Sequence, residues 1–212
     1  KVPLRSVFEA ATPRQLAQEI EEMQQAREAG PRKRPEGAAP IISHAQRRLW
    51  FIEKLGTSGV VYNIAHAVSV TGQVDLDALD RAVGGLCKRH VTLRSTFYER
   101  GGEPQLRIMS PRSVGNIELF EDCMSQDQAI KLLDYEQRKR FDLERGPLIR
   151  VLAVQIDQDE TVLCMICHHI VSDGWSMGIA LNELAVLYDA ECSDGEVLLP
   201  DLEVDYLDLA LH

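Results

Sequence analysis

From residue 41 onward, some segments have an apolar residue at every second position and others at every third or fourth position. The first spacing predicts strands and the second predicts helices, so strands and helices should follow one another along the chain. Strand patterns cover residues 61–70, 97–108, 117–120, 148–156 and 161–167, the second of them a hairpin with a Gly-Gly turn. Helical patterns follow four residues that are typical N-caps, Ser43, Asp75, Ser125 and Ser176. These patterns predict a folded domain that begins at residue 41.

The first forty residues have a different pattern. Thr12, Pro13 and Gln15 form a helix-start signal, and Leu16, Ile20 and Met23 then recur at helical spacing. Residues 1–29 are therefore predicted to be a separate helical unit. Residues 30–40, GPRKRPEGAAP, combine proline, glycine and charge, which indicates a linker. The basic run 32–34 within it is interpreted as part of a solvated connector rather than as a localisation signal.

Two histidines stand where the last predicted strand gives way to a loop. The strand pattern ends at Cys167, and His168 and His169 follow directly. Neighbouring residues on a strand point to opposite faces, so the two imidazoles are not expected to share one cavity. One imidazole should pack against the protein or position the loop, and the other should be free to act on a substrate. Imidazole titrates near neutral pH and suits a general base.

The same segment contains a Cys-x-x-Cys-His sequence formed by Cys164, Cys167 and His168, which is the attachment signature of c-type haem and also fits part of a metal site. The spacing of three along a strand places the two thiols on opposite faces. No second ligand pair of suitable spacing accompanies them, and no signal peptide is visible. We therefore expect neither haem nor metal here.

Composition narrows the function classes. The chain has 212 residues, 45% hydrophobic and 26% charged, as in ordinary globular proteins. No apolar run reaches the length of a membrane span. The net charge of -10 argues against nucleic-acid binding, which usually requires a basic face. Five cysteines without a secretory segment indicate free thiols in a reducing compartment, so a cytoplasmic protein is expected.

The sequence His-His-x-x-x-Asp-Gly, here complete at residues 168–174, resembles the core motif of condensation domains of nonribosomal peptide synthetases, a branch of the chloramphenicol-acetyltransferase-like acyltransferases. Trp175 and Ser176 extend the match. Further segments resemble motifs of the same family: residues 43–50, 62–64, 89–97, 141–148 and 206–210. In the second of the family's motifs, Val91 stands where glutamate is usual and Ser95 where threonine is usual.

The resemblance implies a fold and a domain organisation. Residues 41–212 would form the N-terminal lobe of a condensation domain, an α/β (α+β) sandwich with a mixed sheet flanked by helices. Family members have a second lobe of similar size, with the active site in a tunnel between the lobes. Residues 1–29 resemble the C-terminal part of a peptidyl carrier domain. The serine that carries phosphopantetheine would lie upstream, because no Gly-x-x-Ser signature occurs here.

The resemblance also implies roles for the motif residues. His169 would be the working imidazole, as a base or as a group that orients the amine, within a catalytic motif completed by His168, Asp173 and Gly174. Trp175 and Ser176 would contact substrate, and Arg89 and Arg94 would support the site. Asp173 is expected to fix the loop through an arginine, with Arg94 as the candidate partner. The start of the next helix is expected to help hold an oxyanion.

The activity implied is peptide-bond formation between a donor acyl or peptidyl thioester and an acceptor aminoacyl thioester. Both would hang from 4'-phosphopantetheine on upstream and downstream peptidyl carrier domains, so the cofactor would be attached to partners and to no residue of this chain. Other implied partners are the second lobe and an adenylation domain. Two alternatives remain: epimerisation of a carrier-bound aminoacyl group, since epimerisation domains share the motif, and a noncatalytic module that docks carriers.

Overall fold

The computed structural model describes residues 12–15, 17, 33–35, 37–56, 59–114, 117–120, 125–193, 195–197 and 199–211. Residues 13–15 and 17 are helical, and the Gln15 amide donates to the Thr12 hydroxyl over 3.3 Å, as the helix-start signal predicts. The rest of the unit predicted over residues 1–29, including Leu16, Ile20 and Met23, lies outside the described residues.

Five helices and six strands are numbered here from residue 44 onward, with a 3-10 turn at Val91–Arg94 and another at Pro111–Ser113. The helices are α1 (His44–Lys54), α2 (Leu76–Arg89), α3 (Gln126–Gln137), α4 (Gly174–Ser193) and α5 (Tyr206–Leu209). The strands are β1 (Asn63–Thr71), β2 (Ser95–Arg100), β3 (Glu103–Ile108), β4 (Ile117–Phe120), β5 (Ile149–Gln155) and β6 (Glu160–His168).

Three of the four predicted helix starts are confirmed. Ser43 and Ser125 each cap their helix through a reciprocal capping box, with glutamine as the third helical residue. The Asp75 carboxylate caps α2 by accepting from the Ala78 amide over 2.9 Å. These signals were readable in sequence because donor and acceptor lie three residues apart.

The main sheet is mixed and has the strand order β1-β6-β5-β4. β6 pairs antiparallel with both β1 and β5, whereas β4 runs parallel to β5. β2 and β3 form a separate antiparallel hairpin, and its turn residues Gly101 and Gly102 both have positive φ, which explains the Gly-Gly pair. β6, the strand that ends at His168, thus has a neighbour on each side.

Helices cover both faces of this sheet. α2 and α4 pack on one face, against buried residues that include Met165 and Cys167. Cys164 and Ile166 point to the other face, where Leu133 of α3 packs. The prediction that the two thiols occupy opposite faces is confirmed. Burial raises the pKa of Cys164 to about 11 and raises that of Cys167 as well, so both are protonated core residues.

A second apolar cluster lies at the end of the sheet where β6 ends. Its buried members join α1, the hairpin, the loop after β6 and α5, and include Trp50, Phe97, Leu148, Ile170 and Leu207. Ile170 follows His169 directly. The loop that carries the motif is therefore anchored in a packed core although its histidine is exposed.

The linker is not wholly solvated where the structure describes it. The Arg34 amide donates to Asp208 Oδ1 over 3.1 Å, and its guanidinium reaches Asp205 Oδ2 at 3.5 Å. Asp208 is only 5% exposed. The prediction of a solvated connector is thus wrong at Arg34, because Asp208 of α5 and Asp205, the N-cap of that helix, bind it. No helix in the described ranges has both the length and the hydropathy of a membrane span.

Candidate active site

The candidate site forms where β6 ends and the chain turns into α4. His168 is the last residue of β6 and pairs in register with Asn63 of β1. The His169 amide then donates to the carbonyl of Tyr62 over 2.8 Å, which extends the pairing by one residue. The Val171 amide donates back to the His168 carbonyl over 3.0 Å. These backbone bonds fix the turn from which His169 projects.

His168 is a buried residue, 3% exposed. Its Nδ1 accepts from the Ile170 amide over 3.1 Å, and its Nε2 lies 3.4 Å from a carboxylate oxygen of Glu53. Burial disfavours the charged ring and lowers the pKa of His168, against the opposing effect of Glu53. The rings of Tyr62 and Phe141 lie near it. His168 therefore packs and positions the loop.

His169 points the other way and is exposed. Its Nδ1 lies 3.0 Å from the Ser172 carbonyl oxygen. A carbonyl only accepts, so Nδ1 carries the proton in the neutral ring and Nε2 is left as an acceptor. The opposite orientation of the two neighbouring imidazoles is confirmed. The geometry offers one unprotonated ring nitrogen, at His169 Nε2, to an incoming group.

Asp173 caps α4. Its Oδ1 accepts from both the amide and the hydroxyl of Ser176, each over 2.7 Å. These hydrogen bonds hold the pKa of Asp173 below its usual value. The prediction that Ser176 caps this helix is wrong: the helix begins at Gly174, and Ser176 is the donor rather than the cap. The first-turn amide of Ser176 is thereby taken by Asp173, so it is not free for an oxyanion.

The predicted pairing of Arg94 with Asp173 is wrong. Arg94 donates from Nε to the Cys87 carbonyl and from NH1 to the Met109 carbonyl, both over 2.8 Å. Its planar group thereby ties the C-terminal turn of α2 to the segment that follows β3. Two backbone carbonyls thus accept the hydrogen bonds of this guanidinium, and Asp173 is not among its partners.

The remaining motif residues differ in their placement. Gly174 is exposed, and a Cβ built there meets no heavy atom within 4 Å. Nothing in the described part of the chain therefore requires glycine at this position, and close approach of a substrate stays a prediction. Trp175 is 82% exposed and does not line the cleft described next, whereas Ser176 does.

A cleft of about 390 Å³ opens beside His169. One wall is the motif loop with the start of α4, and the others come from α1, the 3-10 turn after α2 and the segment before α5. Most of its lining is apolar and includes Leu49, Val91, Leu93, Ile179, Leu202, Val204 and Leu209. Its polar lining residues are His90, Thr92, His169, Ser172, Asp173, Ser176, Glu183, Asp205 and Tyr206. Apolar walls with few placed polar groups are typical of ligand sites.

Arg89 and His90 meet Glu183 at the edge of this cleft. Arg89 Nε and His90 Nε2 lie 3.0 and 2.5 Å from the same oxygen, Glu183 Oε2, and Arg89 also donates to the Pro200 carbonyl. Burial by itself raises the pKa of Glu183, but the bonds from His90 and Arg89 outweigh it and hold the pKa below the usual value. Arg89 does not line the cleft itself but binds Glu183, which does, and its supporting role stays a prediction. This carboxylate partner was missed in sequence.

Gln46 is a positioning residue that the sequence showed only as part of a motif. Its side chain is 1% exposed. Nε2 donates to the Ile170 carbonyl over 3.1 Å, and Oε1 accepts from the Ser43 amide over 3.1 Å. One amide group therefore completes the cap of α1 and holds the loop next to His169.

Replacing Gln46 by alanine should lower the free energy of unfolding by about 1–3 kcal/mol, because it leaves the buried Ile170 carbonyl without its donor. Chemical denaturation of the two proteins measures this difference. Arg48→Ala, on the exposed side of α1, is the control and should change stability by less than about 0.5 kcal/mol. Equal stability of the Gln46 variant and the wild type would show that the hydrogen bond from Gln46 to the Ile170 carbonyl does not stabilise the fold.

Replacing Asp173 by alanine should cost about 1 kcal/mol, the usual value of an N-cap, whereas asparagine should keep most of it. The pKa of this carboxyl is lowered in the folded state, so its stabilisation is present above the unfolded carboxyl pKa and lost as the pH falls through the folded one. Denaturation curves at pH 7 and pH 3 measure this loss. An alanine variant with the same pH dependence as wild type would contradict it.

No group of three or more His, Cys, Asp or Glu side chains in the described ranges has the geometry to hold a metal ion.

Comparison with known proteins identifies the family of the chain. A family profile described as Condensation domain matches residues 38–212. The chain is 40% identical over 171 residues to malpinin synthetase of Mortierella alpina, across 80% of this chain and 2% of that protein. It is 34% identical over 220 residues to one of the proteins that make up the linear gramicidin synthase of Brevibacillus parabrevis, across 99% of this chain and 3% of that protein.

The fold has a solved counterpart in the starter condensation domain of the rhizomide synthetase RzmA, with a TM-score of 0.74 at 21% sequence identity. The alignment covers 82% of this chain and 43% of that one. The chain thus spans a small part of the synthetases it matches and less than half of the solved domain. The predicted α/β architecture with a mixed sheet between helices is confirmed, and the chain belongs to the condensation-domain family.

Proposed function

We propose that this chain forms one wall of an active site in which a tethered amine attacks a tethered thioester to form an amide bond, within a nonribosomal peptide synthetase. The observation that carries the proposal is the orientation of His169. The Ser172 carbonyl fixes its Nδ1, and Nε2 is left as an acceptor beside the cleft. That arrangement suits a group that receives or orients an amine proton.

The chemistry follows from the groups present. The amine nitrogen forms a bond to the thioester carbon, the bond from that carbon to sulfur breaks, and the amine loses one proton while the leaving thiolate gains one. His169 Nε2 accepts a hydrogen bond from the attacking amine and takes its proton or orients its lone pair. Tethering both reactants supplies effective concentration, so the imidazole needs to contribute only part of the rate.

The residues present are compatible with a 4'-phosphopantetheine arm. A cleft of about 390 Å³ with apolar walls and few polar groups falls within the usual range for bound organic groups. The arm presents the thioester when a carrier domain delivers it. We infer that residues 1–29 end such a carrier, that residues 30–40 link it to the lobe of residues 41–212, and that a second lobe and an adenylation domain belong to the same assembly. We also expect this synthetase to be cytoplasmic.

A single-turnover assay tests the proposal. The chain is extended through its natural downstream half and mixed with loaded donor and acceptor carriers, and the acceptor-bound product is identified by mass. An acceptor carrier heavier by the donor acyl group supports condensation. Inverted stereochemistry without a new bond would replace the proposal with epimerisation, and carrier binding without either change would leave a docking module.

A further inference from the structure

Glu183 shares the cleft with His169, yet the proposed mechanism gives it no task. Both of its hydrogen bonds go to one oxygen: Arg89 Nε and His90 Nε2 meet Oε2. Oε1 accepts no hydrogen bond from the residues that the structure describes. It is also not among their fully buried polar atoms that lack a partner, so it remains accessible to a ligand. A carboxylate with one oxygen held and the other available to the cleft is suited to bind a donor.

The position of Glu183 along α4 fixes where such a donor would lie. Ser176, Ala180 and Glu183 all line the cleft, at the spacing of one helix face. Ser176 and Glu183 are seven positions apart, so Glu183 lies about 10 Å along the helix axis from Ser176. It therefore lies two turns further along the wall of the cleft than Ser176, where a part of a long substrate away from its reacting end can reach it.

Two donors preorganise this carboxylate, and one of them is itself held by a backbone carbonyl. Arg89 and His90 hold Oε2 from the end of α2, and Arg89 in turn donates to the Pro200 carbonyl over 2.6 Å. The Glu183 side chain is 13% exposed, so a bond to Oε1 would form in a largely desolvated place. A fixed, ionised acceptor among apolar walls binds an N–H donor more strongly than a mobile surface carboxylate does.

We propose that Glu183 Oε1 accepts a hydrogen bond from an N–H group of the carrier-tethered substrate when that substrate occupies the cleft. The inference rests on the proposed function for the identity of the substrate. Two sources have this chemistry. One is the distal, pantothenyl amide of the arm, and the other is an N–H of the aminoacyl or peptidyl group itself.

The test uses the complete two-lobed protein and two thioesters of one aminoacyl group. The pantetheine thioester contains the distal amide, whereas the N-acetylcysteamine thioester lacks it. Glu183→Gln removes the charge and puts a poorer acceptor in its place. We expect its KM for the pantetheine substrate to rise roughly tenfold, with kcat within about twofold of wild type. Donor and acceptor thioesters are titrated separately.

The two substrates distinguish the sources. A KM change confined to the pantetheine thioester assigns the contact to the distal amide of the arm. An equal change with both thioesters assigns it to an N–H that both contain, in the aminoacyl group or in the proximal cysteamine amide. Unchanged KM with both would overturn the inference, as would a fall of kcat alone, since Glu183 would then act through the position of His169. Glu183→Asp, which keeps the charge but shortens the side chain, gives the same comparison if the glutamine variant fails to fold.

Two controls test whether the change in KM arises from the contact at Glu183 rather than from altered stability or altered turnover. Glu191→Gln changes a carboxylate two turns further along α4, where it pairs with Arg81 outside the cleft, and should alter neither KM. Binding of an unreactive pantetheine thioether is measured by calorimetry in parallel. If wild type forms no amide but binds this analogue more tightly than Glu183→Gln does, the proposed function fails while the contact stands. Equal binding by both proteins overturns the contact.

Discussion

Alanine in place of His169 should reduce formation of the amide product about 10²–10⁴-fold in the two-lobed protein, the usual contribution of a positioned acid or base. The side chain is exposed and outside both apolar clusters that pack around the motif loop, so the melting temperature should stay close to that of wild type. Single-turnover product formation with loaded carriers measures the first quantity, and a thermal melt measures the second.

His44→Ala is the matched control for this experiment. His44 is an exposed histidine on α1 and does not line the cleft, so its removal should leave the rate of product formation unchanged. Normal product formation by the His169 variant would remove this imidazole from the mechanism. A large loss of rate in both variants would show that the assay responds to something other than the cleft.

Alanine in place of Phe97 should lower the free energy of unfolding by about 3–5 kcal/mol, the range for truncating a buried aromatic side chain. Phe97 is 1% exposed and lies on β2 directly opposite Leu106 of β3. Its cluster also contains Trp50 and Ile170, so it joins the hairpin to α1 and to the motif loop. Urea denaturation, followed by the fluorescence of tryptophan, measures the loss.

Ile130→Ala provides the comparison for Phe97. Ile130 lies on α3 and is 64% exposed, so the same kind of truncation should change stability by less than about 0.5 kcal/mol. If both variants lost equal stability, the effect would not arise from the cluster beside the motif. We also expect Phe97→Ala to lower activity through the folded fraction, so the activity that remains per folded molecule should stay near that of wild type.

Local signals in the sequence determined much of this protein. Ser43, Asp75 and Ser125 were identified as caps because each bonds within three residues of itself. Strand periodicity placed Cys164 and Cys167 on opposite faces and separated His168 from His169, because successive side chains of a strand alternate whatever the strand packs against. The motif and its family were likewise visible, since the matching residues form short contiguous segments.

The tertiary structure alone decided which distant groups meet. Gln46 reaches Ile170 across 124 positions, Arg34 reaches Asp208 across 174, and Arg89 reaches Glu183 across 94. None of these pairs has a local signal, because each depends on how helices and loops pack around the sheet. The partner of Arg94 shows the same limit: its charge suggested a carboxylate, whereas the fold supplied two backbone carbonyls. Sequence thus determined the elements and which of the two histidines is exposed, and packing determined the cleft and the carboxylate that lines it.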